Sequence, residues 1–252
     1  MTRRRWIADE VRGDTAALVG EHAAHLARVL RAEAGQEFDI ATGDEVRRGT
    51  ITTISFDRVE FALGAKQYRT PRYKRSTAPK ITLVLAIFKF DRMEWAIEKC
   101  TEIGVARIIP VIARRTDAHL AAGAVKRRER WLRIVRQAAE QSRRDVPPEI
   151  AAPVKLKDLA NAAVLQEGEL TRIVLDESLA ESEENHRLGE ILQSRQTEVE
   201  VALAVGPEGG WADGELTWFC EKGWVAASLG ETILRAETAA IVATALALEA
   251  LR

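Results

Sequence analysis

The sequence predicts an α/β protein in two parts, a small β-rich unit ending near Gly64 and a larger domain with a mainly parallel sheet beginning at Ile81. Three observations carry this prediction. From Ile81 onward, short apolar runs alternate with segments of helical periodicity, as in sheets covered by helices on both faces. Before Gly64, strand-length runs are separated by turn residues. Between them, Lys66 to Lys80 contains Pro71 and Pro79, no apolar period and no acid, and reads as a linker. By number, the division is 1–70, 71–80 and 81–252.

In the first part, Arg4 to Ile7 can begin a strand, and Gly20 to Leu30 reads as a short helix with Ala23, Leu26, Ala27 and Leu30 on one face. Glu37 to Ala41, Arg47 to Ser55 and Arg58 to Leu63 are strand candidates, parted by Gly43-Asp44 and Phe56-Asp57. In the second part, Ile81 to Phe88 is a continuous apolar run. Met93 to Ile103 follows at helical spacing and stops at Gly104, a C′ glycine. Val105 to Ala113 is a second buried strand, and a helix spans about Ala124 to Arg144. After Pro147-Pro148 come Ile150 to Lys155, a small helix Lys157 to Leu165, and the strand Thr171 to Leu175. Asp176 to Arg195 is acidic and reads as a solvated crossover. Val199 to Val205 and Trp224 to Leu229 are strands, Gly214 to Lys222 is a helix capped by Asp213, and Ala236 to Leu251 is a buried closing helix.

At 252 residues the chain can bury a sizeable core without metal or disulfide staples. Cys100 and Cys220 have no CxxC spacing and fall on apolar faces of expected helices, so they read as reduced core residues. No stretch is long and apolar enough for a membrane span, and the expected location is the cytoplasm. The net charge of -1 hides an uneven distribution. Lys66, Arg69, Arg72, Lys74, Arg75 and Lys80, interleaved with Tyr68 and Tyr73, suit phosphates and stacked bases. The helix near 124–144 shows eight cations (Lys126, Arg127, Arg128, Arg130, Arg133, Arg136, Arg143, Arg144) against Glu129 and Glu140, which favours a phosphate-facing side. Arg3, Arg4, Arg28 and Arg31 extend the candidate RNA-binding set to the first part.

Two glycine turns, Gly206-Pro207-Glu208-Gly209-Gly210 and Leu229-Gly230, follow two of the expected strands. Ligands of open α/β sheets bind beyond the carboxyl ends of strands. Neither turn has the GxxxxGK[ST] or GxGxxG pattern, so a nucleotide phosphate cradle is excluded. The four histidines offer no metal-ligand spacing, and no metal site is expected. A pocket remains whose glycines bring main chain close and whose Leu229, Ile233 and Leu234 form apolar walls, as a flat ring such as adenosine requires. Alone, GPEGG is equally an ordinary strand-to-helix turn.

Four ordered stretches carry a resemblance. They are Glu98-Lys99-Cys100-Thr101-Glu102-Ile103-Gly104-Val105, Glu140-Gln141-Ser142-Arg143-Arg144, Ala204 to Trp211, and Leu229-Gly230 through Leu234-Arg235-Ala236-Glu237-Thr238-Ala239. Together with His25-Leu26-Ala27-Arg28-Val29-Leu30-Arg31, the chain resembles the bacterial 16S ribosomal RNA (uracil-N3) methyltransferases of the SPOUT superfamily. The resemblance implies a PUA-like β-barrel RNA-binding domain, a carboxy-terminal SPOUT domain with a trefoil knot, a homodimer, and S-adenosylmethionine bound in the knot without metal. It implies a cofactor pocket of Leu175, Ala204, Val205, Gly206, Glu208, Gly209, Gly210, Leu229, Gly230, Ile233, Leu234 and Thr238. The implied substrate is 16S rRNA or the assembled small subunit.

Attack of uracil N3 on the sulfonium methyl requires loss of the N3 proton and stabilisation of the anion. Arg235 is the first candidate for that role, with Glu140 and Arg144 from the basic helix behind it. Arg143, Lys66, Arg69, Arg72, Tyr73, Lys74 and Arg75 complete the RNA-binding candidates. Methylation of a ribose 2′-hydroxyl or another base, and a non-catalytic assembly factor, are the alternative readings.

Overall fold

In the amino-terminal part, apolar side chains converge on one core containing Trp6, Leu18, Leu26, Ile40, Ile51, Val59 and Phe61. The strands of this part are β1 (Arg5–Ile7), β2 (Glu10–Arg12), β3 (Thr15–Val19), β4 (Glu37–Ala41), β5 (Val46–Ile54) and β6 (Arg58–Lys66), and all but β2 supply the core. They form one mixed sheet in the order β1-β4-β5-β6-β3-β2, with β1 and β4 parallel and the other pairs antiparallel. The computed structural model describes residues 4–43, 45–66, 80–161, 165, 170–181, 186–194 and 200–251. Contacts divide the chain into two units, Met1–Arg72 with Arg136–Pro147, and Tyr73–Val135 with Pro148–Arg252. Residues 136–147, which the sequence division places in 81–252, thus pack within the first unit.

The expected helix Gly20 to Leu30 is shorter and changes its winding. Helix α1 (Glu21–Ala24) passes into a π-helical turn, His25–Val29, in which the Leu30 N–H donates to the His25 carbonyl at 3.2 Å. The wider turn breaks the 3.6-residue phase. Ala23 and Leu26 stay buried, whereas Leu30 is exposed. The β2–β3 hairpin, absent from the sequence reading, is short, and its first strand is largely exposed.

The second unit is built on a seven-stranded sheet of β7 (Lys80–Ala86), β8 (Arg107–Ile112), β9 (Glu149–Ile150), β10 (Val154–Lys155), β11 (Leu170–Leu175), β12 (Glu200–Val205) and β13 (Val225–Ala227). The order is β10-β8-β7-β12-β11-β13, with β9 also on β8, and every pairing is parallel. Because successive side chains point to opposite faces, Leu83, Leu85, Leu203 and Val205 join one core while Val84, Ala86, Ala202 and Ala204 join another. Helices α2 (Phe90–Ile103), α4 (Leu188–Ser194) and α6 (Ala236–Ala250), with Trp131 and Val135 of α3 (Ala118–Gln141), cover the first face. Helix α5 (Asp213–Glu221) and the 3-10 helix Leu156–Asn161 supply side chains to the second.

Gly104 ends α2 at φ 135, as a C′ glycine does. Three readings need correction. The Asp176 to Arg195 crossover is not wholly solvated, because Leu188 and Leu192 of α4 are buried in the core. Cys220 is exposed, so only Cys100 is a core cysteine. Asp213 does not cap α5; the N-cap position is Ala212, whose N–H donates to Glu215 at 2.9 Å.

Asp9 anchors the first unit, accepting from Arg136 at 2.5 Å and the Val19 N–H at 2.8 Å, with His22 Nδ1 3.7 Å away. Burial raises its pKa, but His22, Arg136 and the Val19 N–H more than offset this and hold it near 2, against 3.8 unperturbed. A carboxylate with a depressed pKa contributes stability above its unfolded value and loses it as pH falls through the folded value. Asp9→Asn is therefore expected to cost about 1 kcal/mol at neutral pH, after allowance for solvent screening. It is also expected to flatten the acid limb of stability between about pH 4 and pH 2, as urea melts across that range would show.

Candidate active site

The strands β11, β12 and β13 are parallel neighbours, so their carboxyl ends open on one side of the second unit. A cavity of about 370 Å³ lies there, lined by the residues that follow each strand. Its walls are Leu175, Ala180, Val205, Ala227, Leu229, Leu234 and Ala239, and its polar groups include Asp176, Glu177, Glu208, Lys89, Arg92 and Arg235. The size suits a small organic ligand.

Two side chains shape the glycine turn after β12. Arg115 donates to the carbonyls of Gly209 (2.6 Å) and Trp211 (3.0 Å), and Arg92 donates to Glu208 at 3.0 Å. Buried Glu215 accepts from the N–H groups of Arg114 (2.7 Å) and Ala212, so the β8 and β12 loops are tied together. Gly210 sits at φ 68, and a Cβ built there would stand 1.8 Å from Glu177 Oε1. The end of the Glu177 side chain occupies the space a Cβ at 210 would take, and the left-handed backbone there favours glycine. Gly230 sits at φ 128, and its missing Cβ would point into open space. A cofactor with a flat ring and a cationic centre fits this lining: apolar walls, close main chain and two carboxylates, Asp176 and Glu177, on one rim.

Among the expected pocket residues, Leu175, Val205, Gly206, Glu208, Gly210, Leu229, Gly230, Ile233 and Leu234 line the cavity, and Arg235 does too. Ala204, Gly209 and Thr238 do not. Ala204 is fully buried behind the wall, Gly209 turns its carbonyl to Arg115, and Thr238 lies in the first turn of α6. Arg235 occupies the N-cap position of α6 without a side-chain capping bond. Glu237 faces Arg92 at 3.8 Å and makes no ion pair with Arg235.

Glu140 is not at the cavity. It is fully buried in the first unit, bonded by Arg4 and the Ile7 N–H (3.3 Å), with Arg136 at 3.6 Å, and serves to hold β1 to the helix end. Arg144 is half-buried, and that burial pulls its guanidinium down to about 10. Arg143 lies at φ 60 and its carbonyl accepts from Arg5 at 2.6 Å.

Much of the basic surface read from the sequence is also engaged internally. Arg127 and Arg130 share Glu94, Arg128 bonds the Ile150 carbonyl, and Arg136 holds Asp9. Lys66 pairs with Glu45. Arg3, Arg69, Arg72, Tyr73, Lys74 and Arg75 lie outside the described residues.

The sequence reading missed Lys89, Arg92, Asp176 and Glu177. A signal existed, since both pairs directly follow apolar strands that end beside the glycine turns. Among the described residues, no three His, Cys, Asp or Glu side chains gather as a metal site would, and no helix is long and apolar enough to cross a membrane.

The RNA methyltransferase domain model matches residues 75–248. Ribosomal RNA small subunit methyltransferase E of Mycobacterium bovis is 33% identical over 243 residues, covering 92% of this chain and 85% of that protein. The chain belongs to the ribosomal RNA small subunit methyltransferase E family. The Synechocystis sp. member is 33% identical over 222 residues, 88% of this chain and 68% of its own. Two solved structures extend the likeness to the whole architecture. Methyltransferase E from Neisseria gonorrhoeae, bound to S-adenosyl methionine, has a TM-score of 0.81 at 29% identity, covering 96% of this chain and 95% of its own. A methyltransferase from Legionella pneumophila in complex with the same cofactor gives 0.80 at 28% identity, covering 99% and 98%.

The left-handed backbone at 210 favours glycine in this methyltransferase E family member. Gly210→Ala is expected to cost about 1–2 kcal/mol for the left-handed backbone alone and to push Glu177 off the loop. Thermal melts with and without S-adenosylmethionine check this; an unchanged melting temperature and cofactor response would contradict the packing described.

Proposed function

We propose that this chain transfers the methyl group of S-adenosylmethionine to N3 of a uridine in 16S rRNA of the small ribosomal subunit, acting in the cytoplasm as a homodimer. The observation that carries the reading is the cavity at the ends of β11, β12 and β13, lined by the GPEGG and Leu229–Arg235 stretches, in a chain whose structural relatives hold that cofactor. The uridine N3 assignment rests on the ordered motifs that resemble the uracil-N3 enzymes. On the same resemblance we propose that the residues around this cavity form a trefoil knot and that the first unit is a PUA-like RNA-binding domain.

Support for a dimer comes from α6, whose sequence AETAAIVATALALEA is apolar nearly all round. Its inner side packs on α2 through Thr244 and Cys100, while Ala245 and Leu246 are exposed and Ile241 and Val242 half-buried. Trp95 of α2 is also exposed. Helices apolar on every side are normally buried on every side, and a second copy of the chain supplies the cover.

Bound S-adenosylmethionine supplies an electrophilic sulfonium methyl. Leu175, Val205, Leu229 and Leu234 would exclude water and hold its flat ring, and Asp176 and Glu177 would supply carboxylates to its cationic centre. Glu208 is already occupied by Arg92, which fixes the glycine turn and leaves that carboxylate less able to act elsewhere. Arg235, exposed at the cavity and without an ion pair among the described residues, is placed to hold the uracil oxygen on which charge gathers as the N3 proton leaves.

Arg235→Ala is expected to keep S-adenosylmethionine binding by calorimetry while methyl transfer to small subunits falls by about 10²–10³-fold, the usual loss for one donor to a developing anion. Full activity in the variant would remove Arg235 from the mechanism. Absence of any calorimetric binding by the wild-type protein would instead favour a non-catalytic assembly factor.

A further inference from the structure

We propose that the first unit carries a separate site for an unpaired RNA nucleotide, in which a base stacks on the Phe56–Arg28 pair and a neighbouring phosphate meets Arg31. The proposal rests on the reading of the chain as an RNA methyltransferase. Phe56 lies in the turn between β5 and β6 and is 65% exposed. Its turn is anchored: Ser55 Oγ donates to the Arg58 carbonyl at 3.0 Å, and the Gly20 N–H donates to the Asp57 carbonyl at 2.7 Å. The ring is therefore presented by fixed backbone. The Arg28 guanidinium lies over it at 3.7 Å from the centroid. A flat cation stacked on an aromatic face is a platform that every base can use.

The charge pattern points the same way. In this unit Arg4, Arg5, Arg47, Arg48, Arg58 and Arg136 each meet a carboxylate. Arg12, Arg28 and Arg31 meet none among the described residues, and of these Arg28 and Arg31 flank the exposed Val29 and Leu30. Asp57, beside Phe56, is approached instead by Ser55 Oγ at 3.3 Å. Arg31, exposed and without a carboxylate partner among the described residues, suits phosphate, which arginine binds through its planar fork.

The backbone adds a third indication. The π-helical turn His25–Val29 leads into Arg31 at φ 50, a region that costs a non-glycine residue free energy. Its outcome is to leave Val29 and Leu30 exposed next to Arg28. An exposed aromatic with its stacked Arg28 guanidinium, two exposed aliphatic side chains and the Arg31 guanidinium match the faces and backbone of a single strand. A duplex hides its base faces, so it would gain nothing from the stacking platform.

The test is fluorescence anisotropy with a fluorescein-labelled oligouridylate, and with the same strand paired to oligoadenylate. Phe56→Ala is expected to weaken single-strand binding about five- to 150-fold, the range for loss of one base stack, with no matching loss for the duplex. Phe56→Trp restores binding, and Arg31→Ala lowers the salt slope by about 0.7, one phosphate contact on a single strand. Wild-type affinity in Phe56→Ala, or a wild-type protein that binds no oligouridylate, overturns the site. Equal losses for single strand and duplex also overturn it. Calorimetry with S-adenosylmethionine on the wild-type protein separates this failure from failure of the functional reading, because cofactor binding does not depend on the patch.

Discussion

The turn at Gly210 is the constraint on which the site depends. Its backbone takes φ 68, which glycine adopts without the cost it carries for an L side chain, and the Glu177 side chain from the loop after β11 fills the space beside it. Arg115 and Arg92 then fix the same turn from the β8 and β7 sides, one through carbonyls and one through Glu208. A glycine turn has high conformational freedom when unconstrained. These bonds spend that freedom before a ligand arrives, leaving main chain in place around the cavity. Preorganisation of this kind lowers the ordering cost of binding.

Charge in this protein is mostly structural. Glu94, Asp9, Glu140 and Glu215 are carboxylates in inward or sheltered positions, and each is met by arginine or backbone N–H groups. Removing one partner from such a group leaves a charge without compensation, which costs more than the pair contributed. Some of the arginines left without carboxylates instead bond carbonyls, as Arg115 and Arg128 do, whereas Arg235 stands at the cavity and Arg28 and Arg31 stand on the first unit, where an external anion has something to meet.

Much of the second unit was legible in the sequence because physics there is one-dimensional. Ile81 to Phe88, broken only by Thr82, and Val201 to Val205 are apolar runs, as strands covered on both faces must be, and Gly104 marks a helix end. The glycine turns were legible as close-approach points. Pairings across sequence were not. Nothing local in Glu140 shows that Arg4, far away in the chain, will bury it, and a basic stripe looks the same whether its arginines face phosphate or, like Arg127 and Arg130, one carboxylate on the next helix. The π-helical turn shifts phase after Ala24, so periodicity wrongly buried Leu30. The positions of Lys89, Arg92, Asp176 and Glu177 after apolar strands were a signal, but only the folded sheet brings the four to one cavity. Family resemblance supplied what neither periodicity nor charge could, the identity of the ligand.

The central claim is that the cavity at the strand ends directs a methyl group to uracil N3. Small subunits incubated with the protein and S-adenosylmethionine carrying a deuterated methyl group, then digested to nucleosides, test it most directly by mass spectrometry. The account predicts the label in 3-methyluridine. Label in a 2′-O-methylated nucleoside or another base, or no label at all, would contradict it.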